Sequence, residues 1–198
     1  MDSGFIGLII LLLLLLCAAA LLMSRDWRWV MGALGLQYFL AFLLVSSSWP
    51  LELAAVKLVA GWMAGAVLAL TRMNLAIEPE EATKRLPTSP AFLVLSTFLV
   101  LLVVSGAAPA LADWARQMSI NQAWGGLILI GLGLLQVGLS GSNFRSVVGL
   151  LCLLSGFEIL YAAVEASLLV AALLGVLNLG VGLAGSYLLQ TPGTEQLE

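Results

Sequence analysis

Five polar side chains stand inside long stretches of apolar sequence, and they define the chemistry open to this chain. Glu158 lies in Gly156-Phe157-Glu158-Ile159-Leu160, and Lys57 in Ala54-Ala55-Val56-Lys57-Leu58-Val59-Ala60. Gln37, Gln136 and Asn178 interrupt similar runs. A carboxyl in apolar surroundings is costly to ionise, so it binds a proton or holds a counter-charge. A buried lysine faces the same choice. The three amides cannot ionise; they hydrogen-bond to neighbouring helices or line a hydrated path. Proton or ion handling is what these residue types offer. Other chemistries lack their parts. The chain has no histidine, which removes the usual general base and proton shuttle. Cys17 and Cys152 are too few for a four-thiolate metal or iron–sulfur site, and they do not make a disulfide framework. No catalytic residue, metal or redox cofactor is expected.

The elements that must position these groups are membrane helices. Of the 198 residues, 62% are hydrophobic and 10% charged, and mean hydropathy is +1.10. Soluble domains are closer to about 25% charged, so too little polar surface exists to clothe a water-soluble globule. The net charge of -3 argues against a nucleic-acid partner. The expected fold class is all-α: a polytopic membrane helix bundle. A span needs about 20 mainly apolar residues. Seven stretches qualify: Gly4–Met23, Trp27–Val45, Leu51–Met73, Ala91–Ala112, Ala123–Leu139, Ser146–Ala163 and Ser167–Leu189. Only Val164, Glu165 and Ala166 separate the last two, so they are either two helices with a tight turn or one kinked element. Leu/Ala/Val/Gly blocks, rather than alternation, favour helices over a β-barrel.

The first stretch reads as a retained helix. Its leader Met1-Asp2-Ser3-Gly4 has no basic residue and Arg25 and Arg28 follow it, the reverse of a cleaved signal. An N-terminus outside and a C-terminus inside puts Arg25, Arg28, Arg72, Lys84, Arg85 and Arg145 on the cytoplasmic face, leaving only Arg116 among loop residues outside. Trp27, Trp29, Trp49, Trp114 and Trp124 fall at helix ends, where indoles favour the headgroup layer. The polar segment Asn74–Pro90, with Glu78, Glu80, Glu81, Lys84 and Arg85, reads as a cytoplasmic linker. It divides a three-helix unit, residues 1–73, from a four-helix unit, residues 91–190; residues 191–198 form a polar tail.

Glu158 lies roughly 20 Å along its helix from Arg145, at about 1.5 Å per residue. An ionisable group there costs about 2.5–3.5 kcal/mol or more on insertion. It is therefore either a proton-binding site or a neutral structural glutamic acid bonded to another helix. Lys57 enters from the outer side to a comparable depth. It either pairs with Glu158, if the helices adjoin, or extends its stem to the interface. Glu52 and Glu165 mark the outer boundary. Gly125, Gly126, Gly131, Gly133, Gly175, Gly180, Gly182 and Gly185 suit close helix packing. Gly138-Leu139-Ser140-Gly141 has the spacing of an intramembrane serine protease motif, but no histidine exists to activate Ser140.

An internal repeat is also expected. Gly35-Leu36-Gln37 follows Arg28, and Gly156-Phe157-Glu158 follows Arg145, each in the second helix of a triplet. Helices 1–3 and 5–7 would be tandem parallel copies, with helix 4 returning the chain between them.

The stretch from Arg145 through Leu160 resembles subunit K of proton-pumping NADH:quinone oxidoreductase, and with it the C-type component of multisubunit (Mrp) cation/proton antiporters and component E of hydrogenase-4. The shared text is a Gly-apolar-Glu-apolar sequence a few turns after a cytoplasmic arginine. It covers about the last 75 residues, and the extra preceding helices are most similar to the hydrogenase-4 type. The resemblance implies a non-catalytic membrane subunit beside larger antiporter-like subunits in a prokaryotic plasma membrane. It implies that Glu158 is the carboxylate of a lateral proton or cation path. The respiratory members' second glutamate, on the third helix, is missing; helix 7 offers only Asn178. Gln37 replaces the acid in the first repeat. The alternatives are a structural or assembly subunit that conducts no ion, and a stand-alone small transporter.

Overall fold

The computed structural model describes residues 3–24, 26–75, 89–115 and 117–190. Arg25, Arg116, the charged part of the linker (Glu78, Glu80, Glu81, Lys84 and Arg85 among it) and the 191–198 tail lie outside the described residues.

Among the described residues, seven helices are long and apolar enough to cross a membrane. They are α1 (Ser3–Met23), α2 (Trp27–Val45), α3 (Leu51–Asn74), α4 (Pro90–Trp114), α5 (Ile120–Leu139), α6 (Asn143–Val164) and α7 (Leu168–Gln190). The described residues contain no strand. The chain is an integral membrane protein of the all-α class.

Local chemistry sets the helix ends. Helices α5 and α6 start three residues earlier than hydropathy alone predicts, because polar caps extend them. At α5, the Ser119 hydroxyl accepts from the Gln122 backbone N–H while the Gln122 side chain accepts from the Ser119 N–H. At α6, the Ser142 side chain accepts from the Arg145 N–H. Ser89 and Pro90 start α4 in the same way, with proline in the first turn, where its missing N–H costs nothing. Glu165 takes an extended conformation, φ -148 and ψ 141, so α6 and α7 are separate helices rather than one kinked rod.

Hydrogen bonds fix which ends lie together. Arg145 donates to the carbonyls of Leu22 and Ser24, tying the start of α6 to the end of α1. At the opposite end, Gln122 donates to the Leu44 carbonyl at 3.0 Å and to the hydroxyls of Ser47 and Ser48. Trp49 there donates through its indole N–H to the Glu165 carbonyl at 3.0 Å. The bundle therefore has an arginine end (Arg28, Arg72 and Arg145, with Asp26 capping α2 among them) and a carboxylate end (Glu52, Asp113, Glu165).

The closest pair is α5 with α6. Gly126 and Gly133 stand seven residues apart on α5, and Gly149 and Gly156 do the same on α6. Run antiparallel, Gly126 meets Gly156 and Gly133 meets Gly149. A Cβ on Gly156 would lie 2.6 Å from the Gly126 carbonyl oxygen, and one on Gly133 2.9 Å from that of Gly149. The helices touch backbone to backbone, as small residues permit in a membrane. Helix α7 packs along α3, where Gly182 meets Ala64. Helices α1, α2 and α3 also pack on α5, α6 and α7 respectively. Helix α4 is peripheral: of its side chains only Val104 and Ala108 are buried.

Candidate functional site

Three of the five sequence candidates converge. Lys57 from α3 and Glu158 from α6 place Nζ and Oε2 3.8 Å apart, with both side chains nearly sealed from the outside, at 5% and 6% exposure. Asn178 from α7 donates its amide N–H to Glu158 Oε1 at 2.7 Å. Lys57 thus turns into the bundle instead of extending to the interface. Each charge lies six residues from a helix end, about 9 Å at about 1.5 Å per residue, which puts the pair in the half of the bundle nearer the carboxylate end.

Two further side chains complete the cluster. The Tyr38 hydroxyl, from α2, donates to Asn178 Oδ1 at 3.1 Å. This holds the Asn178 amide with its N–H groups toward the carboxylate. The Tyr38 ring reaches that position because Gly61 of α3 leaves room: a Cβ there would stand 2.3 Å from Tyr38 Cδ1. Trp49 sets its ring 4.9 Å from Lys57 Nζ, a cation–π contact. Trp49 is 3% exposed, so its ring faces the interior of the bundle rather than its surface. Its N–H satisfied by the Glu165 carbonyl, and its edge against Tyr161, account for the inward turn.

The remaining candidates lie elsewhere. Gln136 donates to the Arg145 carbonyl at 3.1 Å, inside the α5–α6 hairpin at the arginine end. Gln37 is fully buried beside Tyr38, and its amide makes no hydrogen bond of good geometry. Ser140 shares a 2.6 Å hydrogen bond with Ser146.

Tyr38, Trp49 and Ser155 are the site residues that sequence reasoning missed. Ser155 is 1% exposed, lies one turn before Glu158 on the same face of α6, and its hydroxyl has no hydrogen-bond partner among the described residues. The spacing of three residues was a usable signal for it. Tyr38 gave none, since its partner is 140 positions away.

The arrangement holds a carboxyl group in low-dielectric surroundings with its two oxygens differently engaged. Oε1 accepts from Asn178, while Oε2 faces the ammonium of Lys57. Oε2 is the oxygen at which a proton can be exchanged with that ammonium. Compared with known proteins, the chain matches no family model, no curated protein and no solved structure.

Proposed function

We propose that the chain is a non-catalytic membrane subunit of a complex I-like, hydrogenase-linked or cation/proton antiporter assembly. In this reading Glu158 is one stage of a lateral proton or cation path, Lys57 its counter-charge, and Asn178 the group that orients it. Larger antiporter-like subunits carry the path onward, and the assembly sits in a prokaryotic plasma membrane with the arginine end toward the cytoplasm. The triplets α1–α3 and α5–α7 are tandem copies in this reading, which rests on the Gly35-Leu36-Gln37 and Gly156-Phe157-Glu158 match.

The observation that carries this reading is the buried Glu158–Lys57 pair. A buried ion pair is weak evidence of a stability role, because apolar residues of similar volume often hold as well. Ionisable groups inside a membrane mark ion pathways by default. Purification of the tagged chain in mild detergent, followed by mass spectrometry of what accompanies it, tests the assignment. Large antiporter-like chains at fixed stoichiometry are the expected result. A lone species that transports solute in liposomes contradicts it.

A second reading, a structural subunit without ion conduction, draws on a specific feature. Tyr38, Lys57, Glu158 and Asn178 come from four different helices, so their network also locks α2, α3, α6 and α7 together. On that reading neutralising Glu158 leaves transport untouched.

A further inference from the structure

Between α2, α3 and α6 lies a small cavity bounded by Tyr38, Lys57, Ser155 and Glu158, with Phe42 and Leu58 among its apolar walls. About 10 Å³ of it is open to the centre of a water-sized sphere, and roughly that much is needed to hold one water molecule. Two of the residues that line it carry polar atoms, Lys57 Nζ and Ser155 Oγ, that have no hydrogen-bond partner among the described residues. Their residues are 4% and 1% exposed. Dry cavities are lined by apolar groups, whereas buried waters gather where unsatisfied polar groups converge.

We propose that this cavity binds a single water molecule that bridges Lys57, Ser155 and Glu158. The water accepts from the Lys57 ammonium, donates to the Glu158 carboxylate, and exchanges its remaining hydrogen bond with the Ser155 hydroxyl. The 3.8 Å gap between Nζ and Oε2 is longer than a direct hydrogen bond, and a bridging water satisfies both ends of it. Charge selects the guest. One carboxylate and one ammonium already balance, so a metal cation would leave a net positive charge buried in the bundle, whereas water adds none. Ser155 is then a positioning residue: it anchors the water and, through the water, the carboxylate.

The proposal deepens the site described above and rests on Glu158 being its centre, but not on ions moving through it. Its test is pH-perfusion infrared difference spectroscopy of the full chain in lipid, in ordinary and in ¹⁸O-labelled water. The Glu158 carboxyl band is identified by its loss in Glu158→Gln. Wild type should show, together with that band, an O–H stretching band that shifts with the isotope. Ser155→Ala should move the water band to higher frequency, as one hydrogen bond is lost. Ser155→Val, which fills the cavity, should abolish the water band while the carboxyl band persists; if this variant does not fold, the alanine variant decides. Absence of an isotope-sensitive band in wild type, or a band unaltered in Ser155→Ala, overturns the proposal. The readout needs no partner subunits, so a chain that shows the water while its Glu158→Gln assembly still pumps refutes the ion path alone.

Discussion

Removing Lys57 alone should damage the fold more than removing both charges together. In the Lys57→Met chain, Glu158 keeps its bond from Asn178 but loses the counter-charge 3.8 Å away. At an effective dielectric constant of about 20, two unit charges at that distance attract by about 4 kcal/mol. Breaking a buried pair by deleting one partner costs about 3–5 kcal/mol, because the other charge is left uncompensated. Glu158→Gln should be similarly costly: its carbonyl still accepts from Asn178, but its amide N–H groups now face the Lys57 ammonium, donor against donor. The double variant Lys57→Met/Glu158→Gln buries neither charge and should recover most of the loss. The expected coupling energy is about 3 kcal/mol, roughly a hundredfold in the unfolding equilibrium. Unfolding in mixed micelles titrated with SDS, followed by far-ultraviolet circular dichroism, measures all four corners of the cycle. The exposed Glu52 serves as a control, and its glutamine variant should change stability by less than about 0.5 kcal/mol. Additive single effects, with coupling below about 0.5 kcal/mol, would refute the interaction and the reasoning built on it.

Three other outcomes are expected. Tyr38→Phe removes the donor to Asn178 Oδ1 and should cost about 0.6–1.7 kcal/mol in the same unfolding assay, the range for interhelical hydrogen bonds in membranes. Gly156→Val drives a side chain into the Gly126 backbone and should destabilise by more than about 4 kcal/mol, whereas Gly180→Ala, with nothing within 4 Å, should leave the melting temperature unchanged. A membrane-impermeant maleimide should label Ala166→Cys in intact cells and Asn143→Cys only after permeabilisation, since both positions are exposed and the native Cys17 and Cys152 are buried; the reverse pattern contradicts the N-out orientation.

Much of the fold is legible in the sequence because hydropathy acts on each helix alone. A run such as Ile6–Leu22 must cross a membrane whatever surrounds it, and all seven spans follow from that constraint. Where capping residues intervene, as Ser119 and Ser142 do, hydropathy places the boundary late, since these polar positions lie outside the apolar run. The site was partly legible for the same reason: Glu158, Lys57 and Asn178 are each conspicuous in apolar text. Which helices adjoin is not written in any one of them. Gln136 is as conspicuous as Asn178, yet its height on α5 sets it against the first turn of α6, far along that helix from Glu158. Ser155 was passed over because serine and threonine hydroxyls in membrane helices commonly bond to their own backbone, as Thr71 and Ser186 do here, and Tyr38 because its partner lies 140 positions away. Only tertiary packing shows that these two hydroxyls are directed elsewhere. The glycine seam was half visible: Gly126 and Gly133 read as packing residues, but their opposite numbers Gly149 and Gly156 emerge only when α5 and α6 are laid antiparallel.

The central claim is that Glu158 carries protons or cations and does more than bind helices together. Inverted membrane vesicles from the native host, energised by the assembly's own electron donor or ion gradient, allow this to be read as the initial rate of ΔpH formation with a fluorescent amine. Because Glu158→Gln is expected to destabilise the chain, each rate is divided by the amount of assembled complex in the same vesicles, judged by native gel. The Glu158→Gln rate is expected to fall at least about tenfold, the equivalent of about 1.4 kcal/mol on the barrier. An assembled Glu158→Gln complex translocating at the wild-type rate would contradict the claim.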